Sequence, residues 1–548
     1  MFGRHDLIKI SFVAGTFSLF ALCTGGFLTV EARAQEISRG PYVQRTTPTS
    51  TIIRWRTTEP TETRLDYGLS PELCHHVLRS SHLTTEHSVE LTGLSPQTRY
   101  YYAIRTQAKL LAGGDNDHYV VTSPRGGDEP TRIWILGDAG SSGKRDRGED
   151  PTQGGVRDGF LRRYPAEGLH FIMMLGDNAY DVGSDEQYQR GFFEPYRTVL
   201  RSKVAWAPQG NHDNTSQAYY QVYSPPTKGE SGGVASGSDR FYAFDHGNVH
   251  VISLNSEIRD EPFRASMIEW LRRDLRANDK TWTIVFWHHP PYSKGHHDSD
   301  NLKDSGGRMA WMRENILPIL EDEGVDLVFT GHSHSYERSK FISRHYGAAN
   351  TFSNQFLAQP GDGRDEAGRA YTKRSLSKVP HGGTVYVVAG SAGYVQSGPL
   401  DHPAIALSKA TPGSVLLEVD ANEARAIMVG SDGTTEDSFT IRKAPERPRT
   451  VKNLVATVDG KSCRVVVTWD GASSDLSHSI YRSTTVDARG VAIGRVKGGG
   501  AKFVDRDARS STGSLWYSVR AMNAHGHGPW GGAAVVANLP KGCSGPKS

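Results

Sequence analysis

Seven oxygen- and nitrogen-bearing side chains fall in five short blocks spread over about two hundred residues: Asp138, Asp177, Tyr180, Asn211, His288, His332 and His334. The blocks read Gly137-Asp138-Ala139-Gly140, Gly176-Asp177-Asn178-Ala179-Tyr180, Gly210-Asn211-His212-Asp213, Val285-Phe286-Trp287-His288 and Gly331-His332-Ser333-His334. Such donors could hold two cations. Phosphate-ester hydrolysis needs a nucleophile brought to phosphorus against negative charge and a stabilised leaving oxygen, which two cations roughly 3.5–4 Å apart can supply together. The pair needs a bridge, and a carboxylate with two oxygens can touch both ions; Asp177 is the candidate. Imidazole and hard oxygen donors suit iron, zinc or manganese, whereas an iron–sulfur cluster or structural zinc would call for thiolates the blocks do not contain.

These side chains must be carried by elements that bring them together. Short apolar runs precede four of the blocks: Ile133-Trp134-Ile135-Leu136, Phe171-Ile172-Met173-Met174-Leu175, Thr283-Ile284-Val285-Phe286-Trp287 and Val325-Asp326-Leu327-Val328-Phe329. Runs of this length and composition predict buried strands. In an open α/β sheet, ligands gather where such strands turn into loops, so blocks distant in sequence can meet in space. Any one block alone is an ordinary turn or loop. Five in order, four of them at the end of a strand-like segment, make a metal centre the better reading.

With these motifs in view, the chain resembles the purple acid phosphatases within the calcineurin-like metallophosphoesterase superfamily. Many superfamily members have Asp-x-His in the first block, where this chain has Asp138-Ala139-Gly140. The second block compensates: Gly-Asp-x-x-Tyr places Tyr180 three residues after Asp177, as in purple acid phosphatases. The resemblance covers most of residues 131–443. It implies that Asp138, Tyr180 and His334 hold one ion, Asn211, His288 and His332 the other, with Asp177 bridging. A phenolate favours Fe(III), so the first ion is expected to be Fe(III) and the second Zn(II), Fe(II) or Mn(II). The implied reaction is in-line attack of a metal-bound hydroxide on a phosphate monoester.

The same resemblance gives His212 a hydrogen-bonding or proton-transfer role rather than a ligand's. A second non-ligand histidine is expected after His288, as the acid that protonates the leaving alkoxide. His297, flanked by Asp298-Ser299-Asp300, is favoured, with His296 as the alternative. Asp213 stands where the family more often has Glu, a change beside the ligands rather than among them. His289, adjacent to His288, could compete for a metal unless Pro290-Pro291 turns it away.

Residues 1–34 carry Arg4 and Lys9, an apolar stretch from Ile10 to Val30 and a closing Ala32-Arg33-Ala34, the pattern of a secretory signal peptide. A secreted, extracellular or periplasmic protein is expected, with no membrane span after cleavage. Three cysteines then remain, Cys74, Cys463 and Cys543, of which the last two could pair in an oxidising compartment. Lys plus Arg number 63 against 60 Asp plus Glu, a net charge of +3, so no basic surface calls for nucleic acid. Attraction for a small phosphate ester must come from the metals.

The expected organisation is multidomain. A signal peptide at 1–34 precedes an all-β fibronectin III-like sandwich at 39–124, signalled by Thr51-Ile52-Ile53-Arg54-Trp55-Arg56 and Thr98-Arg99-Tyr100-Tyr101-Tyr102. An α/β metallophosphoesterase sandwich, two mixed β-sheets flanked by helices, follows at 131–443. A C-terminal fibronectin type III domain at 449–540 follows the Pro-rich joint around Pro445 and Pro448. The glycine-rich segments 141–155 and 228–238 are expected over or beside the site. Trp469 and Trp516 are read as core residues of the last domain, whose exposed aromatics could otherwise touch polysaccharide or a cell surface. Two alternatives stay open: a phosphodiesterase or nucleotide hydrolase on the same centre, or a surface-binding protein with an accessory phosphatase domain.

Overall fold

The computed structural model describes residues 35–536, apart from 128, 147, 214–215, 374, 444–450, 460–461, 471–476, 486–489, 498–500, 509–513, 524–525, 529 and 531–533. The expected signal peptide and Cys543 lie outside the described residues. Cys463 is disulfide-bonded, and Cys74 is a free thiol.

Two seven-stranded sheets form the middle of the chain. In one, the strands Val249–Ser253, Trp282–Phe286, Leu327–Thr330 and Val385–Ala389 run parallel. In the other, Thr131–Leu136, Phe171–Met174 and Val204–Trp206 run parallel, and Gly413–Val419 joins antiparallel to Thr131–Leu136. In the first sheet Tyr242–His246 and Tyr336–Ser339 pair antiparallel to Val249–Ser253 and Val385–Ala389, so both sheets are mixed. The period of two in each strand divides its side chains between two cores. Ile133, Ile135, Phe171 and Met173 face Ile284, Phe286, Leu327 and Phe329 across the space between the sheets. Trp134, Leu136, Ile172 and Met174 point outward, where Val156 and Phe160 of the helix Pro151–Arg163 cover them. On the opposite side Val285 and Val328 meet Trp270 and Leu271 of the helix Glu261–Ala277 and Leu320 of the helix Leu317–Asp322. Covering on both faces is why these strands read as unbroken apolar runs.

Before this α/β sandwich stands a six-stranded sheet built on the long strands Ser50–Gly68 and His76–Thr92. It is joined to the central domain by charge: Arg39 and Arg56 both reach Asp185, at 2.7 and 2.6 Å. After the sandwich come a three-stranded and a five-stranded sheet with their own core. Trp469 is buried in that core as expected, whereas Trp516 is only half-buried because it alternates to the opposite face from Leu515 and Tyr517.

Two loop expectations are revised. The segment 141–155 is only partly loop: Asp150 accepts from the Thr152 amide and Pro151 opens the helix Pro151–Arg163. The segment 228–238 is fastened to a helix, with the Val234 amide on Asp274 at 2.7 Å and the Trp270 indole on the Val234 carbonyl at 2.8 Å.

Candidate metal centre

The seven side chains all lie past the carboxyl ends of parallel strands: Thr131–Leu136, Phe171–Met174, Val204–Trp206, Trp282–Phe286 and Leu327–Thr330. Three strands belong to one sheet and two to the other, so the blocks converge at the shared rim of the sandwich. Three of the seven side chains hang from a left-handed backbone: Asp138 (φ 57), Asp177 (φ 53) and His332 (φ 68). Residues with a Cβ are strained there, and such strain gathers at functional sites. Gly331 is required by closeness, since a Cβ on it would stand 2.5 Å from Asp138 Oδ2.

The structure brings all seven residues together. On one side, the Tyr180 hydroxyl is 3.2 Å from Asp138 Oδ1 and 3.3 Å from His334 Nε2. On the other, His288 Nε2 is 3.0 Å from Asn211 Oδ1, 3.2 Å from His332 Nδ1 and 3.4 Å from Asp177 Oδ2. Asp177, almost fully buried, stands with Asp138 and His288 in one group whose donor atoms lie within 4.8 Å of one another.

Hydrogen bonds on the far side of each imidazole set which nitrogen faces inward. His288 Nδ1 is 2.8 Å from the Leu175 carbonyl, which can only accept, so Nδ1 carries the proton and Nε2 turns its lone pair inward. His334 Nδ1 is held by Gln396 Oε1 at 2.7 Å, and His332 Nε2 by Ser305 Oγ at 2.6 Å. Asn211 Oδ1, His288 Nε2, His332 Nδ1 and Asp177 Oδ2 thus converge as acceptors with no donor among them. A cation satisfies such a set, and its mix of imidazole, carboxylate and amide oxygen suits zinc, iron or manganese. Without one, charge has to come from protonation: burial opposes it, but Asp177 outweighs burial and lifts His288 to about 10. Burial and Asp138 together raise the Tyr180 phenol well above its ordinary value. Only a strongly polarising partner would bring it to phenolate.

Around these donors lie the other histidines. The His212 amide donates to Asp177 Oδ1 at 2.8 Å, while its ring sends Nδ1 to the Asp181 carbonyl at 2.6 Å and leaves Nε2 toward the centre. His297 stacks on His332 at 3.9 Å between centroids, and the more exposed His296 stacks on His334 at 5.3 Å. Of the two, His297 is the anchored one, with Nδ1 on Asp304 at 2.8 Å. His289 is fully buried and commits Nδ1 to Ser256 at 2.9 Å. Asp304, Ser305 and Gln396 were not signalled by the sequence. Tyr394, stacked on His334 at 5.4 Å, and Lys144, 5.1 Å above the rings of both Tyr180 and Tyr394, were also missed. Lys144 falls within the segment 141–155 expected beside the site, and for the others the cue was glycine: Gly306-Gly307 and Gly393 adjoin Ser305 and Tyr394.

Comparison with known proteins agrees with this geometry. Residues 131–336 match the calcineurin-like phosphoesterase family, and residues 40–123 match the N-terminal domain of purple acid phosphatases. Purple acid phosphatase 15 of Arabidopsis thaliana is 26% identical over 387 residues, covering 62% of this chain and 62% of that protein. The chain thus spans about three fifths of this relative's length. Among solved structures, a purple acid phosphatase from yellow lupin (Lupinus luteus) seeds superposes with a TM-score of 0.57 at 15% identity over 74% of this chain and 75% of that one. PhoD gives 0.52 at 12% identity, over 75% and 92%. At those identities the likeness speaks to the fold. The chain thus carries a calcineurin-like phosphoesterase domain at 131–336 behind a purple acid phosphatase N-terminal domain at 40–123, and its relatives include purple acid phosphatases.

Proposed function

We propose that the protein is a secreted, binuclear metal-dependent phosphatase acting on phosphate monoesters. The observation that carries this reading is the asymmetry of the donors: a phenol, a carboxylate and an imidazole on one side of Asp177, two imidazoles and an amide oxygen on the other. Asp138, Tyr180 and His334 would hold Fe(III), Asn211, His288 and His332 would hold Zn(II), Fe(II) or Mn(II), and Asp177 would bridge. Two bound cations would neutralise the phosphate and lower the pKa of water towards neutrality.

The chain's own residues do the rest. His212 offers Nε2 to a phosphate oxygen from a ring fixed by the Asp181 carbonyl. His297 offers Nε2 to the leaving oxygen from a ring fixed by Asp304. The disulfide at Cys463 supports an oxidising compartment, and with it the reading of residues 1–34 as a signal peptide. No helix among the described residues is long and apolar enough to cross a membrane.

The test is metal analysis and a visible spectrum of the signal-free protein beside Tyr180→Phe. A charge-transfer band present in the parent and lost in the variant supports an iron–phenolate site. Two metals without such a band would replace iron with zinc or manganese and leave Tyr180 needing another role. Comparing a monoester with a diester at matched metal content tests the substrate class, and a clear diester preference would overturn the monoester assignment.

A further inference from the structure

Asp304 accepts from two directions that lead back to the metal centre. Its Oδ1 lies 2.8 Å from His297 Nδ1 and 2.8 Å from the Ser305 hydroxyl. Ser305 Oγ in turn lies 2.6 Å from His332 Nε2, and the Asp298 amide holds Asp304 Oδ2 at 3.0 Å. Proton accounting gives every bond in this chain a direction. Ser305 gives its one hydrogen to Asp304 and so can only accept from His332, whose proton therefore sits on Nε2 and leaves Nδ1 inward as an acceptor. His297 donates from Nδ1 to the same Asp304 oxygen, which leaves Nε2 as its working nitrogen.

The backbone is bent to make this possible. Ser305, Gly306 and Gly307 are all left-handed, at φ 52, 62 and 74. Two glycines adopt that conformation freely; Ser305 is strained in it. Its hydroxyl is the part of the turn that reaches His332.

We propose that Asp304 is a positioning residue that aims His297 at the leaving oxygen and, through Ser305, fixes His332 with Nδ1 inward. The proposal rests on the phosphatase reading above. In the reaction, the ester P–O bond breaks, a water oxygen bonds to phosphorus and gives up a proton to solvent, and the leaving oxygen takes the proton from His297 Nε2. Solvent reprotonates His297, so one ester and one water give one alcohol and one phosphate. Throughout, His297 Nδ1–H stays on Asp304.

The experiment uses the metal-loaded full chain and two monoesters, 4-nitrophenyl phosphate, whose leaving group needs no proton, and an alkyl phosphate, whose leaving group does. His297→Ala and Asp304→Ala are expected to lower kcat on the alkyl ester by about 100-fold, the usual scale of general-acid catalysis, and on the nitrophenyl ester by about threefold or less. Asp304→Asn keeps an acceptor oxygen and should recover most of the alkyl activity. Ser305→Gly keeps the left-handed backbone without the hydroxyl, so it should release metal to a chelator faster while its leaving-group dependence stays that of the parent. If Asp304→Ala does not fold, Asp304→Glu displaces the carboxylate by one methylene and should show the same ester-selective loss. Equal losses on both esters in the Asp304 variants, or no ester selectivity in His297→Ala, would overturn the proposal while the phosphatase reading stands. A parent protein that hydrolyses neither ester would overturn both.

Discussion

Gly210 has no room for a side chain beside Asp177: a Cβ placed on it would stand 2.2 Å from Asp177 Oδ1 and 2.3 Å from the Asp177 amide nitrogen. The second and third blocks therefore interlock through a missing methyl group. The His212 amide then takes the same Oδ1 at 2.8 Å and holds that oxygen in place. Gly210→Ala must push Asp177 away from the position where its other oxygen faces His288. The variant should lose at least one metal and about 100-fold or more in turnover, since displacement of about 1 Å can cost that much. Metal content per chain measured beside turnover checks it. Full metal with parental turnover would mean that Asp177 needs no such exact seat.

Asp213 ties the same two blocks from the other side. Its fully buried carboxylate accepts from the Asn178 amide at 3.1 Å and the Tyr188 hydroxyl at 2.8 Å on Oδ1, and from the Gly210 amide and Asn178 Nδ2, each at 3.1 Å, on Oδ2. Asp213→Asn is nearly isosteric, yet one of its two ends becomes a donor facing donors. Leaving buried groups unpaired costs about 1–3 kcal/mol each, so the variant should be destabilised by about 2–4 kcal/mol. Denaturant unfolding measures this directly. A loss below about 0.5 kcal/mol would mean that the site relaxes around the amide.

The blocks that meet at the rim were legible because four of the five close an apolar run, and a doubly covered strand shows itself as such a run. Asp138, Asp177 and His332 could be placed at strand ends from pattern alone. Asp304 and Ser305 could not. They act through three successive left-handed residues, a geometry without periodicity, and only Gly306-Gly307 hints at it in the sequence. Between His296 and His297 the letters offered little more than flanking acids, whereas the fold separates them by anchoring: Asp304 holds one, and the other stacks exposed on His334. The anchoring of the 228–238 segment was hidden for a related reason. Its glycines read as loop, and the fold adds that Gly233 is small because Ala243 Cβ and Asp274 Oδ1 would each stand 2.8 Å from a Cβ there.

His250 gives the stability a pH dependence through a buried histidine outside the five blocks. Its two ring nitrogens lie 2.7 Å from Asp245 Oδ1 and 2.7 Å from Asp274 Oδ2. Burial alone would lower its pKa, but the two carboxylates outweigh burial and raise it to about 9. A folded-state pKa above the unfolded one favours the protonated native form. The contribution is therefore complete below about pH 6.5, the unfolded value, and is lost as pH rises through about 9. It amounts to at most about 3.4 kcal/mol at 1.36 kcal/mol per unit. Unfolding free energies from pH 6 to 10 should fall in the parent and be flatter in His250→Gln. Parallel profiles in the two proteins would remove His250 as the source.

A buried carboxylate between two lysines poses the opposite question, whether an ion cluster can be dismantled from its centre. Asp326, at the turn into the strand Leu327–Thr330, meets Lys373 Nζ at 2.7 Å through Oδ1 and Lys443 Nζ at 2.8 Å through Oδ2. All three side chains are buried, and the Thr283 amide donates to the same Oδ2 at 2.9 Å. Lys373 also reaches the carbonyls of Gly324 and Val325, at 3.2 and 3.1 Å, and Lys443 lies 4.6 Å from the Trp282 ring centroid. Neither contact supplies a countercharge. Burial already pulls Lys443 down to about 8, so removing its carboxylate should drive it further down and leave it neutral at lower pH. Breaking a buried pair by deleting one partner typically costs about 3–5 kcal/mol, because the charge left behind is uncompensated. Asp326→Ala should therefore lose at least that much at pH 7, and recover part of it as pH rises and Lys443 sheds its proton. Restoring isosteric apolar groups at both lysines, in Asp326→Leu with Lys373→Met and Lys443→Met, should bring stability back to within about 2 kcal/mol of the parent, since well-packed replacements of buried ion clusters are often neutral. Denaturant titrations of the three proteins at pH 7 and 9 decide the matter. If the single variant is as stable as the parent, the cluster is hydrated rather than dry; if the triple variant is as weak as the single one, the lysine stems are needed for shape and not for charge.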